Sequence, residues 1–292
     1  MKLAIIANPI AGGGRALERI RRLQQAWPYP EWQVALYATK CREHAGELAR
    51  GLLADPPDLL AVCGGDGTLH EVISSVPAPP FPVAMIPAGT ANVLAHELGL
   101  PLDPVKALDI ALKGAVRRVD LGFVQGRNRH PFLLMSGIGV DAYIVSRIRP
   151  KKRLLGMANF YLVSLRAFRS YAFPEFRVVG GGETLSATSC IIANAHSYGG
   201  GLVFTPDASM NDGLFDVLVL QGKLGVEHLR FILSAWLGKP RQVSCVQRRR
   251  LPALRVEGAR GIWVQADGEL IGAVPIDVTL TPASFPLVVP ES

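Results

Sequence analysis

Leu59-Leu60-Ala61-Val62-Cys63-Gly64-Gly65-Asp66-Gly67-Thr68-Leu69-His70-Glu71 reads as a buried strand, a glycine-rich turn and the start of a helix over residues 68–75. Glycines let backbone amides approach an anion closely, and a helix N-terminus adds partial positive charge, so such a turn suits phosphate. A carboxylate there would repel the ligand unless a cation stood between them. Asp66 therefore reads as facing a nucleotide through Mg²⁺. Taken alone, the same residues also describe a tight turn with an aspartate near a helix N-cap.

Working outward, residues 2–8 form a strand ending at Ala7-Asn8-Pro9, and Gly12-Gly13-Gly14 leads into a helix through Arg15, Leu17, Ile20 and Leu23. Residues 33–38 alternate toward Thr39, and a helix follows over about 43–53. A strand at 82–86 ends at Pro87-Ala88-Gly89-Thr90-Ala91-Asn92, which opens a helix through Val93, Leu94 and Leu98. Four strand–helix repeats predict a parallel sheet covered on both faces. Its glycine-rich turns would all emerge at the C-terminal edge, where α/β proteins bind ligands. Pro77-Ala78-Pro79-Pro80 is a surface loop within this pattern.

After Gly122 the rhythm changes. Strand-like runs at 132–136, 176–179, 189–193, 215–220, 255–256, 262–265 and 276–280 are joined mainly by Gly, Pro, Asn and Asp turns. This predicts a mostly antiparallel β domain, interrupted by helices near 154–170 and 225–237. The expected division is an α/β domain over 1–122 and a β-rich domain over 123–292.

The 292 residues, 49% hydrophobic and 19% charged, suit one large or two ordinary globular domains. Cys41, Cys63, Cys190 and Cys245 have neither metal-ligand nor disulfide spacing, which fits a reducing compartment. Met1 opens directly into a strand with no leader pattern, and no uncharged apolar run nears the ~20 residues that span a bilayer. A cytoplasmic protein is expected. Its charge is uneven: residues 1–122 carry 12 Lys/Arg and 12 Asp/Glu, residues 123–292 carry 19 and 12, and the excess makes the net +7. Arg147, Arg149, Lys151, Lys152 and Arg153 precede an apolar segment, 154–162, and Arg248-Arg249-Arg250 form a second cluster. Basic next to apolar favours an anionic membrane surface over nucleic acid, which would need interleaved stacking aromatics. A charged loop beside an ordinary core helix is the alternative.

With its three turns in place, the chain resembles the bacterial diacylglycerol kinase-like lipid kinases, relatives of the diacylglycerol and sphingosine kinases within a superfamily that includes the NAD kinases. The resemblance spans nearly the whole chain. It rests on Asn8-Pro9 with Gly12-Gly13-Gly14, Thr39 with His44-Ala45, the turn from Gly64 to Thr68, and Pro87 to Asn92. Further on it rests on Gly137-Ile138-Gly139-Val140-Asp141, Gly199-Gly200-Gly201 with Pro206, Asn211-Asp212-Gly213-Leu214-Phe215-Asp216, and Asp267-Gly268-Glu269. Two positions depart from the family pattern: Val93 stands where many members have aspartate, and Val140 where many have phenylalanine.

The resemblance implies an NAD kinase/phosphofructokinase-like α/β domain followed by a β-sandwich, with the last residues, about 282–292, returning to the first domain. It also implies ATP and Mg²⁺ as cofactors and a lipid hydroxyl as acceptor. Nucleotide contacts would come from Asn8, Pro9, Gly12, Thr39, Gly64, Gly65, Asp66, Gly67, Thr68, Leu69, His70 and Thr90. Glu269 would be the general base, with Asp267 beside it; the reverse assignment stays open. A second, structural Mg²⁺ would be held by Asp212 with the carbonyls of Ser209 and Leu214, Asp216 being an alternative ligand. Phosphoryl transfer needs little beyond positioning, charge neutralisation and a base, and these residues supply each.

Without the resemblance the residues read more plainly. Asp267-Gly268-Glu269 is an ordinary hairpin turn, Asn211-Asp212-Gly213 a strong turn signal, and Thr39 and Thr90 are strand-end or capping hydroxyls. His70-Glu71 and His96-Glu97 lack a histidine four residues on, which excludes a zinc-protease helix. The Walker A pattern is absent, so this is not a P-loop kinase. The rivals to a lipid kinase are an NAD kinase and a non-catalytic regulator that keeps the fold. Partners expected are a lipid at an anionic membrane surface and ATP, with no nucleic acid; a self-pairing sheet edge could make a homodimer.

Overall fold

The computed structural model describes residues 1–25, 27–148, 156–199, 201–223 and 225–291. The chain forms two compact units, one of residues 1–119 with 283–292 and the other of residues 120–282.

In the first unit, β1 (Lys2–Ala7) is followed by α1 (Arg15–Gln25), β2 (Gln33–Ala38) by α2 (His44–Gly51), β3 (Leu59–Gly64) by α3 (Asp66–Ser75), and β4 (Val83–Pro87) by α4 (Val93–Glu97) and α5 (Pro104–Lys113). The strand order is β2-β1-β3-β4. All three pairings are parallel, with Ile5 opposite Leu36 and Ala61, and Val62 opposite Met85. Strands β1, β3 and β4 are buried almost throughout, as helices on both faces require. Helix α1 places Ala16, Leu17 and Ile20 in the core, while Glu18, Arg19, Arg21 and Arg22 are exposed. Ile20 is fully buried, which contributes about 1.5–3 kcal/mol by transfer from water. Helix α5 adds to the expected pattern, and its signal is local. Asp103 caps it by accepting from the amides of Val105 (3.0 Å) and Lys106 (3.2 Å), with Pro104 in its first turn.

The second unit begins within β5 (Ala115–Gln125) and continues through β6 (Arg129–Phe132), β7 (Met135–Gly139), α6 (Val140–Arg147), α7 (Gly156–Ser170), β8 (Phe176–Gly180), β9 (Glu183–Ala187), β10 (Ser189–Ala193), β11 (Ser197–Tyr198), β12 (Leu202–Val203), β13 (Phe215–Leu220), α8 (Val226–Trp236), β14 (Val246–Leu251), β15 (Ala253–Gly258), β16 (Trp263–Ala266), β17 (Glu269–Ala273) and the first part of β18 (Ile276–Val289). One layer is an antiparallel sheet in the order β14-β13-β10-β7-β16-β17. The other is built on β18-β15-β8-β9, with β5 pairing β18 and β6. The inward side chains of both layers, among them Phe132, Ile138, Phe176, Cys190, Phe215, Val256 and Ile276, make one core. The end of β18 belongs to the first unit, where Leu287 pairs parallel with Val83 and Phe285, Leu287 and Val289 are buried.

One expected strand is divided. The run 132–136 alternates too little to show a break, yet β6 ends at Phe132 and β7 starts at Met135. The amides of Leu133, Leu134 and Met135 turn instead to the Asp267 carboxylate, at 2.7, 3.0 and 3.0 Å. Of the basic cluster near 150, Arg149, Lys151, Lys152 and Arg153 lie outside the described residues, as do Leu154 and Leu155. Arg147 is described: its guanidinium sits 4.7 Å from the Tyr143 ring centroid. Among the described residues no helix is long and apolar enough to cross a membrane.

Helix α8 lies on the outer face of the six-stranded sheet, where Phe231 and Ala235 join Ile191, Ala193, Leu218 and Val246, and Phe231 stacks on Phe204. At its start the Gly225 amide donates to His228 Nδ1 at 3.3 Å. Burial pushes the His228 imidazole below its ordinary value of 6.5, against the opposing pull of the Gln221 backbone and the Glu227 charge. A lowered folded value means the unfolded chain takes the proton first. Stability from this group is therefore present above pH ~6.5 and is lost as pH falls through the lower folded value. Tm measured between about pH 5 and 8 is expected to drop on the acid side, and His228→Asn should flatten that limb.

Candidate functional site

In the first unit the turns after β1, β3 and β4 are bound to one another. The Asn8 amide donates to Cys63 O (2.9 Å), the Ala88 amide to Gly64 O (2.8 Å), and the Thr39 amide to Ala7 O (2.9 Å). Glycine permits this closeness at specific places: a Cβ on Gly89 would lie 2.5 Å from Gly65 Cα, and one on Gly12, at φ +58°, would lie 3.1 Å from Ala88 O. Gly67 is different. A Cβ there meets nothing within 4 Å, and its φ is not in the left-handed region. Packing does not demand glycine at 67, whereas a ligand approaching the first turn of α3 would.

Asp66 has a task in the fold that the sequence does not show. Its oxygens accept from the amides of Val93 (3.0 Å) and Leu94 (3.1 Å), so a side chain from the first turn of α3 satisfies the start of α4. The residue before α4, Asn92, sits at φ +45° and spends its side chain on Gly89, accepting from the amide at 2.8 Å and donating to the carbonyl at 3.1 Å. A carboxylate oxygen is a hard ligand, so the chemistry of Asp66 suits a hard cation such as Mg²⁺.

The remaining nucleotide candidates divide by exposure. Thr90 is exposed, Gly12 is exposed, and Asn8, Pro9, Gly65 and Gly67 are half-buried. Thr39, Thr68, Leu69 and His70 are buried, so Leu69 and His70 offer a ligand main chain rather than side chain. Asn8 Nδ2 donates to Thr68 Oγ1 at 3.3 Å while its Oδ1 accepts from Ile10 N at 3.1 Å, which ties the first turn to α3. Glu71 and His44 are not among the expected nucleotide contacts, yet both brace them: Glu71 accepts from the Ala45 amide (3.2 Å) and His44 Nδ1 from the Lys40 amide (3.0 Å), fixing the segment that follows Thr39.

In the second unit Asp267 and Gly268 form a two-residue hairpin between β16 and β17, with φ +46° and +83°, the type I′ signature. The two carboxylates of Asp267-Gly268-Glu269 have separate environments. Asp267 accepts the three amides at 133–135, while Glu269, opposite Ala266 at the start of β17, is half-buried. Three donors on one carboxylate occupy most of the lone pairs a base would use. Behind the hairpin, the Gly268 amide donates to Gln265 Oε1 (2.7 Å), Gln265 Nε2 donates to Asp141 Oδ2 (2.8 Å), and Tyr198 Oη donates to Asp141 Oδ1. Burial pushes the Asp141 carboxyl up, opposed by those two donors. Gly137 is obligatory beside it, since a Cβ would lie 1.7 Å from Asp141 Oδ2.

The Asp212 loop is held by a residue sequence reading passed over. Buried Asp120 accepts from the Gly213 amide at 2.7 Å, and its own amide donates to Met210 O at 2.6 Å. Asp212 Oδ1 accepts from the Leu214 amide (3.0 Å), and its Oδ2 is taken by Arg250 Nη2. Asp216 Oδ2 lies 3.5 Å from Arg250 Nε without a hydrogen bond, and burial pushes this carboxyl up. The donor set is hard oxygen, as a Mg²⁺ site needs, but the Arg250 guanidinium already supplies the positive charge between Asp212 and Asp216. A divalent cation fits only where Arg250 is displaced.

A parallel-sheet unit with interlocked glycine turns is joined in one chain to a β-sandwich that carries a carboxylate hairpin, and both parts match known families. Residues 2–124 match the family described as the diacylglycerol kinase catalytic domain, and residues 135–289 match the YegS C-terminal NAD kinase beta sandwich-like domain. The chain belongs to this diacylglycerol kinase-like lipid kinase family. It is 30% identical to a Pseudomonas fluorescens protein named "Probable lipid kinase YegS-like", covering 97% of this chain and 94% of that one. It is 28% identical to a diacylglycerol kinase of Mycobacterium tuberculosis, over 99% and 96% of the two chains. The crystal structure of a diacylglycerol kinase from Bacillus anthracis superposes with a TM-score of 0.73 at 22% identity, covering 99% of this chain and 96% of that one, and shows the same fold.

Proposed function

We propose that the protein transfers the γ-phosphoryl group of ATP to a hydroxyl of a membrane lipid, diacylglycerol being the first candidate. The observation that carries this reading is the division of labour in the Asp267-Gly268-Glu269 hairpin: Asp267 is committed to three backbone amides that shape the fold, and the half-buried Glu269 beside it is the carboxylate that the family resemblance matches to the general base. Family membership and the names of the relatives supply the substrate class.

In this reading the backbone amides of Gly64, Gly65, Asp66, Gly67 and Thr68, with those near Asn8, Pro9 and Gly12, hold the phosphates, and Thr39 and Thr90 contact the nucleotide. Bound Mg²⁺ neutralises phosphate charge, and Asp66 is the residue that would hold it. Glu269 accepts the proton of the lipid hydroxyl as that oxygen bonds to the γ-phosphorus and the bond to the ADP oxygen breaks. The Asp141–Gln265 pair positions the hairpin through the Gly268 amide. Ser209, Asp212 and Leu214 would hold a structural Mg²⁺ on displacement of Arg250, and no catalytic step depends on it.

The test is mass spectrometry of products after incubation with ATP, Mg²⁺ and mixed vesicles containing diacylglycerol, phosphatidylglycerol, a sphingoid base and a polyprenol, with a separate NAD reaction. Phosphatidic acid as the main product is the expected result. A different phosphorylated lipid would move the acceptor, NADP alone would make it an NAD kinase, and no product from any pool would favour a non-catalytic regulator.

A further inference from the structure

We propose that the outer face of α8 is a docking surface for an anionic lipid bilayer. Seven of the eleven residues of the helix are apolar, but the fold buries only one side. Phe231 and Ala235 are buried against the sheet, whereas Val226 is 66% exposed, Leu229 53%, Leu233 53%, Trp236 60% and Leu237 71%. Their spacing, i, i+3, i+7, i+10 and i+11, places all five on one stripe. Single exposed leucines are ordinary on a soluble surface; a contiguous stripe of large side chains marks something that covers it.

Charge decides between a lipid surface and another protein. Residues 221–245 contain four cations, Lys223, Arg230, Lys239 and Arg241, and one acid, Glu227. That acid is already paired with Arg230 at 2.9 Å. Lys223 precedes the helix, and Lys239 and Arg241 follow it, all three exposed. An apolar stripe with a tryptophan near its end and cations at both ends is the composition of a helix lying in a membrane interface: the stripe enters the acyl boundary, the indole sits at headgroup depth, and the cations meet lipid phosphates. Because Phe231 anchors the helix to the sheet, the face is presented rigidly rather than folded on contact. This site is separate in sequence from the basic cluster near 150. It rests on the lipid-kinase reading for its purpose, since an acceptor within a bilayer has to be approached from its surface, but not for its residues.

The full chain is sedimented with vesicles of phosphatidylcholine, with and without phosphatidylglycerol, without ATP. Wild-type protein is expected to bind the anionic vesicles and to be released by salt. Leu229→Ser with Leu233→Ser, and separately Lys239→Glu with Arg241→Glu, should each weaken that binding about tenfold or more while the circular dichroism is unchanged. Unchanged binding in both variants would overturn the proposal. So would a lipid-free dimer that the two serine substitutions dissociate, because the stripe would then be a self-interface. Turnover on diacylglycerol in detergent micelles keeps this separate from the catalytic reading: variants that lose vesicle activity but retain micellar activity support docking. A wild type that binds vesicles yet phosphorylates nothing leaves docking standing and removes the kinase.

Discussion

Glu269→Gln is expected to lower kcat for phosphoryl transfer by about 10²–10⁴, the usual contribution of a general base, with Tm unchanged. The side chain is half-buried at the first residue of β17, so an isosteric amide disturbs no packing. Asp267→Asn is expected to behave differently, because an amide cannot accept all three donors of Leu133, Leu134 and Met135 with the strength of a carboxylate. Leaving one of those amides poorly satisfied costs on the order of 1–3 kcal/mol, so activity and Tm should fall together. The contrast separates chemistry from architecture. A fully active Glu269→Gln beside a stable, inactive Asp267→Asn would transfer the base to Asp267.

The same hairpin shows what sequence could and could not disclose. Asp-Gly between two strand-like runs announces a type I′ turn, because φ is positive at both positions and local chemistry settles it. Nothing local announces that the Asp267 carboxylate breaks a strand 134 residues earlier in the chain, between β6 and β7. The parallel sheet was legible because runs such as 59–62 are buried on both faces and stay apolar throughout, and the glycine turns interrupt them sharply. Helix α6 was not. It begins after Gly139 at φ +87°, and its acidic residue Asp141 faces Tyr198 and Gln265 from distant strands. A buried aspartate on a helix looks, in sequence, like an exposed one. Helix α8 carries the reverse ambiguity: Leu229, Phe231 and Leu233 are equally apolar as letters, and only the sheet beneath determines that Phe231 is core and the leucines are surface.

Asp66→Ala is expected to abolish activity and, unlike Glu269→Gln, to destabilise the protein. Its carboxylate completes the first turn of α4, and Asn92, already bonded to Gly89, has no side-chain acceptor to lend. Two helix-start amides without an acceptor cost about 2 kcal/mol, which lowers Tm by several degrees in a domain of this size. An unchanged Tm would sink the capping role. Asp66→Asn then tests whether the residue does more than cap. Its amide oxygen can still serve one of the two backbone donors, so much of the lost stability should return, but it carries no charge for a cation. If activity at saturating Mg²⁺ returned with stability, the carboxylate at 66 would be a cap alone. The expected result is a folded variant that stays inactive, because phosphate and carboxylate can share this turn only through a cation, and a neutral amide cannot hold one there with the same strength.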